Sequence, residues 1–404
     1  MKKKNQDIHK IIKIDYESFY FDVVPFIEAA KKLGCWCILI VGARDRGKTY
    51  SMLKYGIEQK EQIIFVKRTV EDVKLLLASA KHPEMFEDDL SPYADLNDDL
   101  NLNIQPHKIY DGVASFHNDQ DDNKFKAGIC FALSKVSDFK GFGGLRKCKY
   151  FVFDEFIKQP WEKNLSRFEG ESALDLYWTA ARDREQRGGD PLLFIGLANA
   201  NDVSNPLFNV LEVTDEVVDM VHKHEDIRQV GHKLIVLVDD SKLMVAKKEK
   251  HSVVYDDLKN TAWGKITFNN EFALNDFSAV GFRSLKGMHC RCMIRYKNEV
   301  WYVYQKEKTF YVCDSKSNNS NIKCYDLAIE SDLKPCYMKE CITLHDAYIK
   351  KNVMFQKYRM LDVLIHFRKF FNIWLTYTQV CDNIMLCEQQ NTQEGGMYES
   401  YWFS

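Results

Sequence analysis

The fold of this chain is decided by the stretch Val41-Gly42-Ala43-Arg44-Asp45-Arg46-Gly47-Lys48-Thr49-Tyr50. An apolar run, Cys37-Ile38-Leu39-Ile40, precedes it, and a helix-compatible segment from Ser51 to Glu58 follows it. A strand, a glycine-bounded loop and a Lys-Thr pair that opens a helix are the context that a phosphate-binding P-loop requires. Residues 42–50 are therefore predicted to bind a nucleotide.

The parts of this loop have separate chemical roles. The glycines allow a tight turn in which backbone N–H groups converge on an anion, and the N-terminus of the following helix adds its dipole. Lys48 supplies a mobile positive charge, and Thr49 offers a hydroxyl to Mg²⁺. Arg44 and Arg46 place two further positive charges in the loop. They can bind phosphate or an acidic group of a neighbouring molecule, and the sequence leaves these alternatives open.

A second strand and helix follow the P-loop in the same order. The apolar strand Gln62-Ile63-Ile64-Phe65-Val66 leads into Lys67-Arg68 and a helix from Val70 to Ala80. Strands that are apolar throughout and alternate with helices predict an α/β fold with a parallel sheet covered on both faces. Residues 108–116 and 125–133 are predicted to form the two strands of a hairpin, because polar, turn-rich residues connect them.

Two adjacent carboxylates form a second motif. Asp154 and Glu155 come directly after the apolar strand Tyr150-Phe151-Val152-Phe153, and a basic, glycine-rich loop from Ser137 to Lys147 precedes that strand. At the carboxyl end of a strand, Asp154 can reach the Mg²⁺ beside Thr49, and Glu155 can polarise the attacking water. The motifs predict an NTPase with an additional catalytic glutamate (the ASCE type) and not a small-molecule kinase, since we find no arginine-rich lid after the core.

Another apolar strand ends in asparagines. Residues 191–198 are mostly apolar, and Asn199 and Asn201 follow them. An amide at the end of a strand can sense the γ-phosphate or the attacking water, or it can simply form a turn. The sequence does not decide between these roles.

Composition and charge narrow the class of protein. The chain has 404 residues, enough for two or three domains, and its formal net charge of −2 requires that any polyanion bind to a local patch. The twelve cysteines are interpreted as reduced, packed thiols, because their spacing does not match a zinc site. Neither a signal peptide nor a membrane span is predicted, so a cytosolic protein without a membrane partner is expected.

Beyond residue 225 the alternation of strands and helices stops. Three short strands between Cys290 and Cys313 are predicted to form a meander, and residues 281–313 carry seven basic and two acidic side chains. Aromatic residues lie among these charges: Tyr296, Trp301, Tyr302 and Tyr304. Such a face can bind nucleic acid or be an ordinary charged sheet. The predicted organisation is a P-loop domain at 1–225, a linker or lid region at 226–280, a smaller α+β domain at 281–390 and a flexible tail at 391–404.

The motifs together resemble a known family. The residues Gly42 to Tyr50, Lys67-Arg68, the Lys140-Gly141 loop and Phe151-Val152-Phe153-Asp154-Glu155-Phe156 look like the DNA-packaging ATPases of phi29-type tailed phages, the small relatives of terminase large subunits. The more specific features are the Gly-Ala-Arg opening of the P-loop and the Asp-Glu-Phe after an aromatic strand. The resemblance covers residues 35–210.

The resemblance implies a ring motor that hydrolyses ATP with Mg²⁺ and pulls double-stranded DNA into a procapsid through its portal. A homopentamer is expected, in the host cytoplasm and transiently on the portal vertex, with the need for a packaging RNA left open. By position, Lys48 and Thr49 hold the phosphates and Mg²⁺, Asp154 orders Mg²⁺, and Glu155 is the catalytic glutamate. Arg146 is the candidate for an arginine finger that reaches the neighbouring subunit.

The resemblance also bears on DNA contacts and on the second domain. Lys124 and Lys126, at the tip of the predicted hairpin, are candidates for a loop that grips DNA. The second domain is similar to a vestigial RNase H-like nuclease, and nuclease activity is not expected, because Arg295 stands where an acid is needed and Asp314 is a lone candidate. The alternatives are a helicase-like or other ring NTPase that acts on nucleic acid, and a nucleotide-binding scaffold with residual ATPase activity.

Overall fold

The computed structural model describes residues 8, 11–18, 20–81, 91–121, 125–139, 144–159, 162, 166, 168–238, 253–273, 275–319 and 321–372. The chain divides into two compact units, residues 1–278 and 279–404, and each has a sheet of its own. The predicted DNA contact Lys124, the Lys140-Gly141 loop and the tail at 391–404 lie outside the described residues. In the part of the chain that is described, none of the helices has the length and apolar character that crossing a membrane requires.

The described part of the first unit contains nine strands: β1 (Cys37–Val41), β2 (Gln62–Lys67), β3 (Ile104–Tyr110), β4 (Val113–Asn118), β5 (Lys126–Ala132), β6 (Cys148–Asp154), β7 (Leu193–Ala198), β8 (Ile227–Val230) and β9 (Lys233–Leu237). They form one sheet in the order β3-β4-β5-β2-β6-β7-β1-β9-β8. The six strands from β5 to β9 in this order are parallel, and β3, β4 and β8 pair antiparallel at the two edges. The predicted parallel sheet is confirmed.

Helices cover both faces of this sheet: α1 (Val24–Leu33), α2 (Lys48–Glu58), α3 (Val70–Lys81), α4 (Ala94–Leu100), α5 (Glu169–Ala181), α6 (Pro206–Val210), α7 (Thr214–Lys223), α8 (Val253–Leu258) and α9 (Ala262–Asn269). On one face, a single apolar cluster joins Ile38 of β1 to Met52 of α2 and Val73 of α3. On the other face, Tyr177 of α5 packs edge-on against Phe151 of β6, with the ring centroids 5.7 Å apart. Because both faces are covered, the central strands are apolar along most of their length.

The predicted hairpin between residues 108 and 133 contains three strands and not two. The segment 108–116 folds back at Asp111-Gly112, so that it supplies the end of β3 and most of β4. Gly112 has a φ of 75°, a left-handed conformation that glycine adopts easily in tight hairpin turns. β4 then pairs antiparallel with β5, as the sequence predicts.

The sheet also extends past residue 225, into the region predicted to be a linker or lid. β9 pairs in parallel with β1 from Cys37↔Lys233 to Val41↔Leu237, and β8 pairs antiparallel with β9. β9 is a short strand, and its parallel partner β1 lies far away in the sequence, so local periodicity does not reveal that β9 joins this sheet. Residues 227–237 therefore belong to the sheet and not to a linker.

The second unit is built around a five-stranded sheet: β10 (His289–Tyr296), β11 (Glu299–Lys306), β12 (Thr309–Cys313), β13 (Lys323–Asp326) and β14 (Val353–Phe355), in the order β13-β10-β11-β12-β14. Its helices are α10 (Glu330–Cys336), α11 (Ile342–Ile349), α12 (Tyr358–Ile365) and α13 (Phe367–Phe370), with a π-helical turn at Tyr337–Cys341. The antiparallel meander β10-β11-β12 confirms the predicted one. The likeness of this unit to a nuclease fold stays a prediction.

The aromatic residues of this second sheet are buried. Trp301 has no exposed surface, and Tyr296, Tyr302 and Tyr304 are each at most 8% exposed. Bases stack only on exposed ring faces. Of the two interpretations that the sequence left open, the structure favours the ordinary charged sheet.

The described cysteines are packed thiols, as the sequence predicts. Ten are free, and eight of these are buried. Burial raises the pKa of Cys130 to about 12, although the charge of Lys67 acts in the opposite direction. A thiol in such surroundings stays protonated and chemically inert at neutral pH.

Candidate nucleotide-binding site

The predicted P-loop connects β1 to α2 at the carboxyl edge of the parallel strands. All five residues of β1 are buried, and α2, an 11-residue helix, begins at Lys48 with Gly47 as its N-cap. Gly47 and Asp45 have φ values of 70° and 57°, left-handed conformations that bend the loop tightly. The Gly42 N–H donates to the Ala198 carbonyl of β7 at 3.0 Å. The loop thus presents a helix N-terminus at a fixed position, which is the geometry that binds phosphate.

Three acceptors hold the Lys48 ammonium over this loop. Its Nζ donates to the Gly42 carbonyl at 2.9 Å, to the Ala43 carbonyl at 2.6 Å and to Asn199 Oδ1 at 3.1 Å. Asn199 directly follows β7 and is 8% exposed. This contact brings Asn199 into the site and favours a role as a polar sensor over a simple turn.

Thr49 and Asp154, which the sequence assigns to Mg²⁺, lie together. Thr49 Oγ1 donates to Asp154 Oδ1 at 3.1 Å, although 105 residues separate the two in the chain. Asp154 is the last residue of β6, and its side chain is 13% exposed. Hydroxyl and carboxylate oxygens are the ligands that Mg²⁺ prefers. This pair of oxygens therefore fits a magnesium ion.

Lys67 is a site residue that the sequence analysis did not assign. It is the last residue of β2, and its Nζ lies 3.7 Å from Asp154 Oδ2. Burial lowers the pKa of Lys67, but the negative charges of Asp154 and Glu155 raise it more, so the net pKa is above its ordinary value. Lys67 is therefore a cation beside both carboxylates. Only the order of the strands, with β2 next to β6, reveals this contact.

Glu155 has a left-handed backbone, with a φ of 55°, and an exposed side chain. The next residue is firmly anchored, because the Phe156 N–H donates to the Leu197 carbonyl at 3.2 Å and its side chain is 1% exposed. A non-glycine residue in this conformation costs about 1–3 kcal/mol, and such strain clusters at functional sites. The anchored backbone on either side, and not a packed side chain, fixes the position of Glu155.

Arg68 joins the segment after Glu155 to the start of α5. Its guanidinium donates to Glu169 Oε1 at 2.7 Å, to Glu162 Oε2 at 3.0 Å and to the Phe156 carbonyl at 3.0 Å. The Arg68 and Glu169 side chains are 12% and 3% exposed. Removing one partner of a buried ion pair leaves the other charge uncompensated. Arg68 is thus a structural support for the backbone that carries Glu155.

We expect Arg68→Gln to lower the free energy of unfolding by about 3–5 kcal/mol, because it leaves Glu169 buried without its charge partner. It should also lower kcat per folded molecule, since the Phe156 carbonyl loses a donor. Arg228→Gln is the matched control, because Arg228, on β8 and away from the site, is 7% exposed and pairs with Glu225. Chemical denaturation and ATPase rates check both, and equal kcat values in the two variants would contradict the link to Glu155.

A residue of the predicted linker or lid region also closes the site. Asn270, the C-cap of α9, donates through Nδ2 to the Val41 and Val238 carbonyls at 2.9 Å each. Its Oδ1 accepts from the Ala200 N–H at 3.0 Å. One side chain therefore ties together the carboxyl ends of β1, β9 and β7. No sequence motif marks Asn270, and its role follows from tertiary structure alone.

The two arginines of the P-loop differ in their surroundings. Arg46 is 1% exposed, its guanidinium donates to the Ser18 carbonyl at 3.2 Å, and its own carbonyl accepts from the Phe21 N–H at 2.7 Å. Its side chain therefore anchors the segment before α1, and a contact of Arg46 with phosphate stays a prediction. Arg44 is half-buried, and its N–H donates to the Thr267 carbonyl of α9 at 3.1 Å.

Arg146 does not join the site within one chain. It lies in the 3₁₀ segment Gly144–Lys147, directly before β6, whereas Asp154 ends that strand. A strand of seven residues is roughly 23 Å long, so Arg146 lies at the amino end of the parallel strands and Asp154 at their carboxyl end. The Arg146 side chain is 57% exposed and lies 3.9 Å from Asp183. Lys126 is the first residue of β5, which runs parallel to β6, so it is exposed at the same amino end of the strands as Arg146.

Comparisons with known proteins agree with this architecture. A family model for the podovirus DNA encapsidation protein (Gp16) matches residues 26–369. No curated protein sequence matches the chain. The structure of the Phi-28 gp11 DNA packaging motor is similar, with a TM-score of 0.53 at 15% identity over 89% of this chain and 99% of that one. The N-terminal domain of the DNA packaging ATPase from bacteriophage phi29 has a TM-score of 0.41 at 23% identity, over 55% of this chain and 97% of that one.

Proposed function

This chain belongs to the podovirus DNA encapsidation protein (Gp16) family, and on that basis we propose that it is the ATPase of a viral DNA-packaging motor. In this proposal it couples ATP hydrolysis to the translocation of double-stranded DNA through the portal into a procapsid. It acts in the host cytoplasm and binds the portal vertex transiently. One observation supports this proposal above all: Thr49, which follows the P-loop, contacts the Asp154 carboxylate at the end of β6.

The residues of this site divide the chemistry between them. Lys48 exchanges its contacts with loop carbonyls for phosphate oxygens, and the α2 N-terminus holds the β-phosphate. Thr49 and Asp154 would hold Mg²⁺, which would supply positive charge against the phosphates. Glu155 accepts hydrogen bonds from the attacking water and orients it toward the γ-phosphate. Lys67 holds the Asp154 carboxylate in place.

DNA-dependent ATP hydrolysis tests this function. We expect purified protein to hydrolyse ATP with Mg²⁺, and double-stranded DNA to raise the rate, because a translocating motor couples its cycle to its track. Phosphate release is measured with no DNA, with double-stranded DNA and with single-stranded DNA at matched nucleotide concentration. A stronger response to single-stranded DNA would favour the alternative, a helicase-like ring NTPase, and no response to either would favour a nucleotide-binding scaffold.

The motor acts as a homo-oligomeric ring, for which we propose a pentamer, and Arg146 is our candidate for the finger that reaches a neighbour. Arg146 is exposed and far from the P-loop of its own chain, so it can act only on the nucleotide site of a neighbouring subunit. We expect Arg146→Ala and Glu155→Gln, each of low activity alone, to recover ATPase activity when mixed, because a Glu155→Gln subunit still lends its Arg146 to the intact site of a neighbouring Arg146→Ala subunit. Arg187→Ala is the control, since Arg187 is 60% exposed and also pairs with Asp183. No recovery of activity on mixing would argue against the finger.

The remaining roles are assigned to the hairpin and to the second unit. Lys126 at the start of β5, with Lys124 before it, contacts DNA in our proposal. The second unit docks the motor or contacts DNA and does not cut it. In support of this, Arg295 on β10 pairs with Asp326 at 3.1 Å, and Asp314 lies 3.4 Å from Lys357, so these acids face cations. A two-metal nuclease site needs carboxylates that converge on two ions.

A further inference from the structure

One face of α5 is exposed and carries both apolar and acidic side chains. Trp178 is 70% exposed and Phe168, just before the helix, is 52% exposed. Glu171 and Asp175 are exposed between them. Spacings of three and four residues place all four on one side of the helix. We call Phe168, Glu171, Asp175 and Trp178 the Trp178 face.

A groove lies between α3 and the turn from β3 to β4. Its volume is about 210 Å³, and its lining includes Val73, Lys74, Leu77, Lys108, Tyr110 and Asp111. Tyr110 in this lining is 59% exposed, and two residues next to lining residues in the chain, Leu75 and Ile109, are 55% and 50% exposed. Clustered apolar exposure with charges around it is typical of an interaction site. We call this site the Lys74 groove.

The charges of the two surfaces are complementary. Among the described residues, neither Lys74 nor Lys108 has an ion-pair partner, and the same holds for Glu171 and Asp175. Each surface also carries one charge of the opposite sign, Asp111 in the groove and Arg182 one turn after Trp178. Two cations and one anion thus match two anions and one cation. Such matching sets orientation and selects the partner.

The two surfaces cannot meet within one copy, because α3 covers one face of the nine-stranded sheet and α5 covers the other. Two different surfaces that fit each other make a heterologous contact, which repeats from copy to copy and closes into a ring when the rotation permits. We propose that the Trp178 face of one copy docks into the Lys74 groove of the next copy. The proposal deepens the proposed function, because it rests on the ring and names the surfaces that build it.

Charge reversal on the full chain tests this contact. One variant carries Glu171→Lys with Asp175→Lys, a second carries Lys74→Glu with Lys108→Glu, and a third carries all four substitutions. We expect each double variant to weaken self-association by roughly tenfold or more, because like charges then oppose each other. The quadruple variant should regain the wild-type assembly, since its charges are again opposite. Sedimentation velocity with ADP, with a non-hydrolysable ATP analogue and with double-stranded DNA gives the mass of the assembly.

Matched controls separate this contact from unfolding and from other functions. Val253→Lys, at a residue 80% exposed in the first unit, should leave the assembly unchanged. Circular dichroism and thermal melting confirm that each variant is folded. If wild type and both double variants all form rings, the proposed contact between the Trp178 face and the Lys74 groove is wrong, but the proposed motor function is unaffected. Wild type that stays monomeric in every condition overturns the ring and the contact together. If the Lys74→Glu, Lys108→Glu variant loses DNA binding without a change in mass, the groove is a DNA site and the proposal fails.

Discussion

Glu155→Gln is expected to lower kcat for ATP hydrolysis by about 100- to 10,000-fold, the range that loss of a general base produces. The amide keeps the size of the side chain but does not accept a proton from the attacking water. Nucleotide affinity should change little, because in the proposed function Lys48, Thr49 and the loop backbone hold the phosphates and Glu155 does not. The expected result is therefore a protein that binds ATP and does not turn it over.

Glu212→Gln is the matched control for this prediction. Glu212 is also an exposed glutamate with a left-handed backbone, with a φ of 57°, and it lies between α6 and α7, outside the site. The two variants therefore share the same chemical change and the same backbone conformation. Single-turnover hydrolysis and fluorescent-nucleotide binding measure the two effects separately. Hydrolysis that survives in Glu155→Gln would show that this residue is not the base, and lost binding would show that it holds the nucleotide.

Lys48→Ala is expected to abolish measurable hydrolysis and to weaken ATP binding strongly. Removing one preorganised donor at a developing charge costs about 100- to 1,000-fold in kcat, and the loss of a full positive charge at the phosphates adds to this. Lys48→Arg should not restore activity. The ammonium fits among three acceptors at 2.6–3.1 Å, and a planar guanidinium does not match that geometry.

Lys54→Ala provides the comparison for Lys48. Lys54 lies on the same helix, its side chain is 41% exposed, and its ammonium is 3.9 Å from Glu58 in a surface pair. Surface pairs of this kind contribute little to stability, so this variant should bind and hydrolyse ATP at the wild-type rate. Isothermal titration with a non-hydrolysable ATP analogue checks both variants. If Lys48→Ala bound the analogue as tightly as Lys54→Ala does, the P-loop assignment would be wrong.

Much of the first unit follows from local sequence. The strands at residues 37–41, 62–67 and 148–154 are built around the apolar runs 37–41, 63–66 and 150–153. Two glycines bound the loop after the first strand, and Lys48 and Thr49 open the helix α2 that follows it. A pattern of this kind depends only on residues that are neighbours in the chain. For the same reason the sequence does not separate β3 from β4, because a two-residue turn at Asp111-Gly112 interrupts a run that is otherwise compatible with one strand.

The sequence by itself determined the parallel sheet, the P-loop and the pair Asp154-Glu155, because strand–loop–helix patterns and strand-end carboxylates are local. Tertiary structure alone decided that Lys67 reaches Asp154 and that Asn270 ties three strand ends together. It also decided that the side chain of Arg46 is buried while Arg146 lies at the opposite edge of the sheet. These facts depend on which strands are neighbours in the sheet and on the side of the sheet at which each strand ends. Long-range packing sets both.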